Sequence, residues 1–235
     1  MSRNNQSFKR AVDIYADAAN LVLRLLLKEP RRAWTSLQLA RSSGTSVAWA
    51  NHVLNALEKR GILERQRAGG KSWSRLLKPM ELLRDWTVHY DFSKNTAHPF
   101  YVKTVQERDS LFKYFKASGI EYAATGYYAV SLLTSFVSGV PEMFYVYPSQ
   151  TDITYDAFIM RLSNQFSLLP VQKGANLIVV EPYYRKGAFF DSKFFNKEKV
   201  VSPIQLYLDI CHLDQGREFI KELAEYFHKE GFYYV

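Results

Sequence analysis

The chain has 235 residues, is 47% hydrophobic and 23% charged, and carries a formal net charge of +8. That length supports two domains with cores of their own, and no apolar run approaches the ~20 residues of a membrane helix, so a spanning helix is excluded. A single cysteine, Cys211, excludes an internal disulfide, and the polar start MSRNNQSFKR lacks the apolar centre of a signal peptide; both point to a cytoplasmic protein.

Charge and aromatic content divide the chain. Residues 1–89 hold 16 Lys and Arg against 7 Asp and Glu, a net of +9, whereas residues 90–235 hold 15 against 16, a net of −1. A polyanion-binding part followed by a neutral part fits that asymmetry. All four Trp precede residue 90, yet only Phe8 and Tyr15 of the 32 Phe and Tyr do, so the second part has a Tyr/Phe-rich core.

In chain order, residues 11–28 predict a helix with apolar residues around more than one stripe. Such a helix would pack on its own domain and also on a second domain or a second subunit, as in a homodimer. Glu29-Pro30 ends it. Thr35-x-x-Gln38 is a capping box opening a short helix whose Leu37 and Ala40 face inward. Gly44 turns the chain into a second helix capped by Ser46, with Val47, Ala50, Leu54 and Leu57 as its buried stripe. Gly61 stops that helix, and strands over 62–66 and 71–77 flank a turn at Ala68, Gly69 and Gly70.

Helix, helix, turn, helix, hairpin is the order of a winged helix-turn-helix. The major groove of duplex DNA admits a helix and offers base edges to short polar side chains. Asn51, His52 and Asn55 are placed to read bases, Arg65, Arg67 and Lys71 to hold phosphates, and Ser46 and Trp49 to set the helix end against the backbone. Trp49 could equally pack against the first helix. The bland reading is a small helical domain with a solvated polar face.

Pro79 starts another helix, after which residues 89–104 lose periodicity and read as a connection between domains, with room for one strand. From residue 105 the chain alternates: a helix over 107–118, a strand IEYAAT, Thr125-Gly126, a helix over 127–137 and a strand MFYVYP. A helix over 155–162, strands over 165–172 and 175–183, and a short strand at 199–201 follow. Ser202-Pro203-Ile204-Gln205 opens a further helix, with Ser as cap and Gln reaching back, and a last helix is capped by Asp214. The fold class is therefore α+β: residues 1–88 a winged helix-turn-helix domain, 89–104 a connection, and 105–235 a mixed α/β domain.

Catalytic readings find little support. Gly70-Lys71-Ser72 imitates the end of a phosphate-binding loop, but Arg65 stands where that loop needs glycine. Five histidines and one cysteine show no metal-ligand spacing, and Asp152 with Asp156 reads as a solvated pair. The helix, strand, Thr125-Gly126, helix, strand order resembles the opening of the nucleotidyltransferase fold. Where that family carries two metal-binding carboxylates, this chain has Tyr145 and Tyr147. The resemblance implies a scaffold without the reaction, and an unrelated α/β domain fits as well. We therefore expect no enzyme activity, no cofactor and no metal.

Four segments, NALEKRGILERQ, AATGYYAVSLL, ANLIVVEPY and VSPIQLYLDICHLDQGREFIKEL, together resemble the AbiEi antitoxins of bacterial type IV toxin-antitoxin systems. The resemblance runs over roughly residues 21–232. It implies an N-terminal winged helix that binds operator double-stranded DNA and represses its own operon. It further implies a C-terminal domain that counteracts a nucleotidyltransferase toxin without a stable complex. The alternatives are a ligand-sensing winged-helix regulator and a nucleotidyltransferase-like enzyme with an accessory DNA-binding domain.

Overall fold

A computed structural model describes residues 13–67, 72–148, 153–214 and 216–232. The architecture mixes helix and strand, and the chain divides into two compact units, Met1–Pro79 and Met80–Val235.

The first unit contains α1 (Asp17–Lys28), α2 (Ser36–Ser43), α3 (Val47–Lys59) and an antiparallel pair, β1 (Leu63–Gln66) and β2 (Trp73–Leu76). Helix α1 starts later than its pattern predicts because Asp13 to Ala16 form a turn, where the Tyr15 amide donates to the Asp13 carboxylate at 2.9 Å. Residues 11 and 12 lie outside the described residues. Every residue from Ala19 to Leu27 is buried, as expected of a helix covered on more than one face.

Helix α2 is held by the complete Thr35 and Gln38 capping box: the Gln38 amide donates to the Thr35 hydroxyl at 3.1 Å, and the Thr35 amide donates to the Gln38 side chain at 2.9 Å. Gly44 ends it at φ +65°, the left-handed region that favours glycine. Two inward assignments need correction. Leu37 is 47% exposed, because burying Leu39, two residues and roughly 200° further round the helix, turns Leu37 outward. Val47, the first residue of α3, is 41% exposed, and Val53 takes its place in a buried stripe with Ala50, Leu54 and Leu57.

Leu63 and Leu76 pair across the hairpin and are both buried. Trp34 bridges Ser74 through two backbone hydrogen bonds of 2.7 and 2.8 Å, so the segment entering α2 extends the hairpin. The expected turn at residues 68–70 lies outside the described residues.

The second unit opens with α4 (Pro79–His89), all but its first residue, and a 3-10 turn over Phe92–Lys94. It continues through β3 (Thr96–Tyr101), α5 (Val105–Ala117), β4 (Glu121–Ala124), α6 (Gly126–Leu133), β5 (Glu142–Tyr147) and α7 (Tyr155–Gln165). Strands β6 (Leu169–Pro170), β7 (Leu177–Glu181), β8 (Lys193–Phe195) and β9 (Glu198–Val200) follow. Helices α8 (Pro203–Ile210), α9 (Gly216–Glu222) and α10 (Ala224–Lys229) close the described chain.

The seven strands form one mixed sheet in the order β6-β3-β7-β5-β4-β9-β8. Strand β3 lies within the stretch read as a connection and pairs antiparallel with β7 from Thr96 to Phe100, so that stretch builds the sheet. Strand alternation divides the faces. Tyr122 on β4 and Phe144 on β5 meet Phe112 of α5 with ring centroids 5.6 and 4.7 Å apart, while Ala123 and Tyr145 point to the opposite face. Helix α5 begins two residues earlier than expected, since Thr104 and Glu107 form a second reciprocal capping box.

Other expectations shift. Helix α6 stops at Leu133, and the strand expected over 165–172 reduces to Leu169–Pro170. Strand β8 had no signal of its own, and the last expected helix breaks at Leu223 into α9 and α10. Among the described residues no helix is long and apolar enough to cross a membrane.

Candidate nucleic-acid interface and a buried acid

The polar face of α3 and the inner side of β1 meet through one hydrogen-bond cluster. Residues 63 and 65 share a face of β1, so Leu63 enters the core while Arg65 reaches over α3. Its guanidinium donates to the Asn55 side-chain oxygen at 2.5 Å and to the Asn51 side-chain oxygen at 2.8 Å. The Ser36 hydroxyl of α2 also donates to Asn51, at 2.8 Å. Arg67 pairs with Glu58 and reaches Asn55 at 3.4 Å. Its guanidinium holds the Glu58 carboxyl below the ordinary value.

The structure thus brings Asn51, Asn55, Arg65 and Arg67 together. Arg65, half-buried, has its pKa lowered by that burial and by the Arg67 charge, though a guanidinium keeps its proton. His52 is exposed on the same helix, its ring 6.2 Å from that of Trp49. Ser46 caps α3 by accepting from the Trp49 amide at 3.1 Å. Trp49 is half-buried, and its indole nitrogen is buried with no hydrogen-bond partner among the described residues. Arg75 pairs with Glu64 across the strands. Lys71 lies outside the described residues.

The second unit carries a different centre that no motif announced. Asp209 of α8 is fully buried and serves as common acceptor for four side chains. One carboxylate oxygen accepts from Tyr90 at 2.6 Å, Gln205 at 2.8 Å and Tyr145 at 3.0 Å; the other accepts from the Thr125 hydroxyl. Burial raises the Asp209 pKa against the opposing pull of these donors. Burial and the neighbouring carboxylate push the Tyr90 and Tyr145 hydroxyls well above their usual range, so both stay protonated donors.

Gln205 therefore points into this network and does not reach back to the start of α8 as expected; only the Ser202 half of that cap forms, accepting from the Gln205 amide at 3.3 Å. Local sequence could have flagged the acid, since Asp209 interrupts a helix in which every other residue is buried too. Gly126 opens α6 at φ +56°, where a Cβ would stand 2.8 Å from the Met143 sulfur. The strand beyond it presents Tyr145, already committed to Asp209. Asp156 sits in the first turn of α7, and Asp152 is outside the described residues. Asp214 lends its carbonyl to the Tyr127 hydroxyl at 3.3 Å. Among the described residues no three His, Cys, Asp or Glu cluster as a metal site would need.

Comparison with known families matches residues 75–230 to one described as a transcriptional regulator, the AbiEi antitoxin of type IV toxin-antitoxin systems. No curated protein and no solved structure matches significantly.

Proposed function

The chain belongs to the AbiEi antitoxin family of type IV toxin-antitoxin transcriptional regulators, and from that premise we propose that its first unit is a winged helix that binds operator DNA. The family match begins at residue 75, so this reading rests on the unit's own chemistry. The observation that carries it is the cluster joining α3 to the hairpin: asparagines on the outer face of α3 and hairpin arginines share one surface in the basic part of the chain. A helix with short polar side chains flanked by cations has the form that a major groove and its phosphates accept.

The full chain is expected to retard duplex DNA from upstream of its own gene more strongly than scrambled duplex. His52→Ala or Asn55→Ala should cost about 1–3 kcal/mol on the cognate duplex and little on the scrambled one. Lys71→Ala should weaken both alike and lower the slope of log affinity against log salt by about 1. Fluorescence anisotropy at several salt concentrations measures all three; equal losses on both duplexes for every variant would end this division of roles.

For the second unit we propose an antitoxin body that counteracts a nucleotidyltransferase toxin without a lasting complex and without chemistry of its own. Supporting this, β5 follows β4, Thr125-Gly126 and α6 in nucleotidyltransferase-like order but bears Tyr145 and Tyr147 in place of a metal-binding carboxylate pair. Incubation of the protein with Mg²⁺, the four nucleoside triphosphates and labelled RNA should leave the RNA length unchanged; an added nucleotide on the gel would reverse the assignment.

A further inference from the structure

Arg65 bears on what the proposed DNA-reading helix can recognise. An arginine has only hydrogen-bond donors, so whatever faces it must accept. Asn51 turns its side-chain oxygen to Arg65 and to the Ser36 hydroxyl, and Asn55 turns its oxygen to Arg65 and Arg67. Flipping either amide would set its NH2 group against a guanidinium, donor against donor. The outward group of each asparagine is therefore the NH2. Four residues apart, the two lie one above the other on α3, a rise of roughly 6 Å. The usual asparagine contact with adenine is bidentate and needs both the oxygen and the nitrogen of the amide. Here both oxygens are occupied.

We propose that Arg65 is a positioning residue for sequence recognition, fixing Asn51 and Asn55 as donors so that α3 reads acceptor edges. Those edges are the N7 and O6 of guanine and the O4 of thymine, with adenine read only at N7. The inference rests on α3 being the helix that enters the major groove. It assigns Arg65 to the helix and not to a phosphate.

The test starts from selection of a random-core duplex library with the full-length wild-type chain. At positions where Asn51→Ala and Asn55→Ala relax the selection, 7-deazaguanine should lower affinity about tenfold, while purine in place of adenine, which removes the N6 amino group, should change nothing. Arg65→Ala and Arg65→Lys should each reduce the preference for selected over scrambled duplex by about tenfold, because the single nitrogen of lysine cannot replace the two separated nitrogens with which the guanidinium reaches Asn55 and Asn51. Their salt slopes should match the wild type. Arg65→Lys retains the charge and serves if Arg65→Ala does not fold. The proposal is overturned if purine-for-adenine weakens binding, if Arg65→Lys retains the full preference, or if Arg65→Ala lowers the salt slope with the preference intact. If the wild type selects and retards no duplex, the DNA-binding premise itself fails, an outcome distinct from those three.

Discussion

Replacing Asp209 by Ala should destabilise the second unit by about 3–5 kcal/mol, read as a lower urea midpoint by circular dichroism, because four buried donors lose their shared acceptor at about 1–3 kcal/mol each. The loss is less than four full penalties. The Tyr90 and Tyr145 hydroxyls lie 3.2 Å apart and can bond each other, and Asn95 already donates to Tyr90 at 3.2 Å. Asp209→Asn should cost less, since its oxygen still accepts and its NH2 can donate to a hydroxyl. Equal midpoints for Asp209→Ala and the wild type would show that this network does not stabilise the unit.

The same residue sets a pH dependence whose sign follows from burial. The folded-state pKa of Asp209 is raised above the ordinary 3.8. Between the unfolded and folded values the native chain binds the proton that the unfolded chain has released, so stability falls as pH rises through that window. Asp209→Asn has no such proton. The stability difference between wild type and Asp209→Asn should therefore favour the wild type most in acid and shrink as pH rises from 3.8 upward. A difference that instead grew with pH would mean the four donors outweigh desolvation and hold the carboxyl below its ordinary value.

What the sequence revealed, and what it hid, follows the range of the interactions. Thr35 with Gln38, Ser46 and Gly44 act within one turn of chain, and each cap formed where its residues stood. Ser202 capped α8 as well, but Gln205 turned inward, because its side-chain NH2 found a buried carboxylate one turn along, at 2.8 Å. The exposure of Leu37 and Val47 was hidden for a related reason: an apolar stripe three or four residues wide leaves the choice of central residue to the neighbouring helix. Sheet order is longer-ranged still. Nothing within Thr96–Tyr101 says that β7, some eighty residues on, will pair with it. At the candidate interface the contacts were hidden, since nothing in the local sequence says that the Arg65 guanidinium will bond Asn51 and Asn55, ten and more residues before it.

Trp34→Ala should cost the first unit about 3–5 kcal/mol, comparable with the loss at Asp209, since a fully enclosed indole leaves a large cavity. Trp34 is 1% exposed, and Arg32 lies over its ring at 3.7 Å. Its backbone ties the segment before α2 to Ser74 of β2, so a collapse at residue 34 would loosen both the capped start of α2 and the hairpin that carries Arg65 and Arg67. The consequence should reach DNA. Because the loss acts through the fraction of folded protein, retardation of cognate and scrambled duplex should decline together, and cooling or a lower denaturant concentration should restore both. Trp34→Phe discriminates packing from hydrogen bonding: the indole nitrogen is buried without a partner among the described residues, so its removal forfeits no bond. That variant should lose only about 1–2 kcal/mol, the remainder of the ring holding most of the space. A Trp34→Phe loss as large as that of Trp34→Ala would show that the indole nitrogen has a bonding partner and that volume is not what the site depends on.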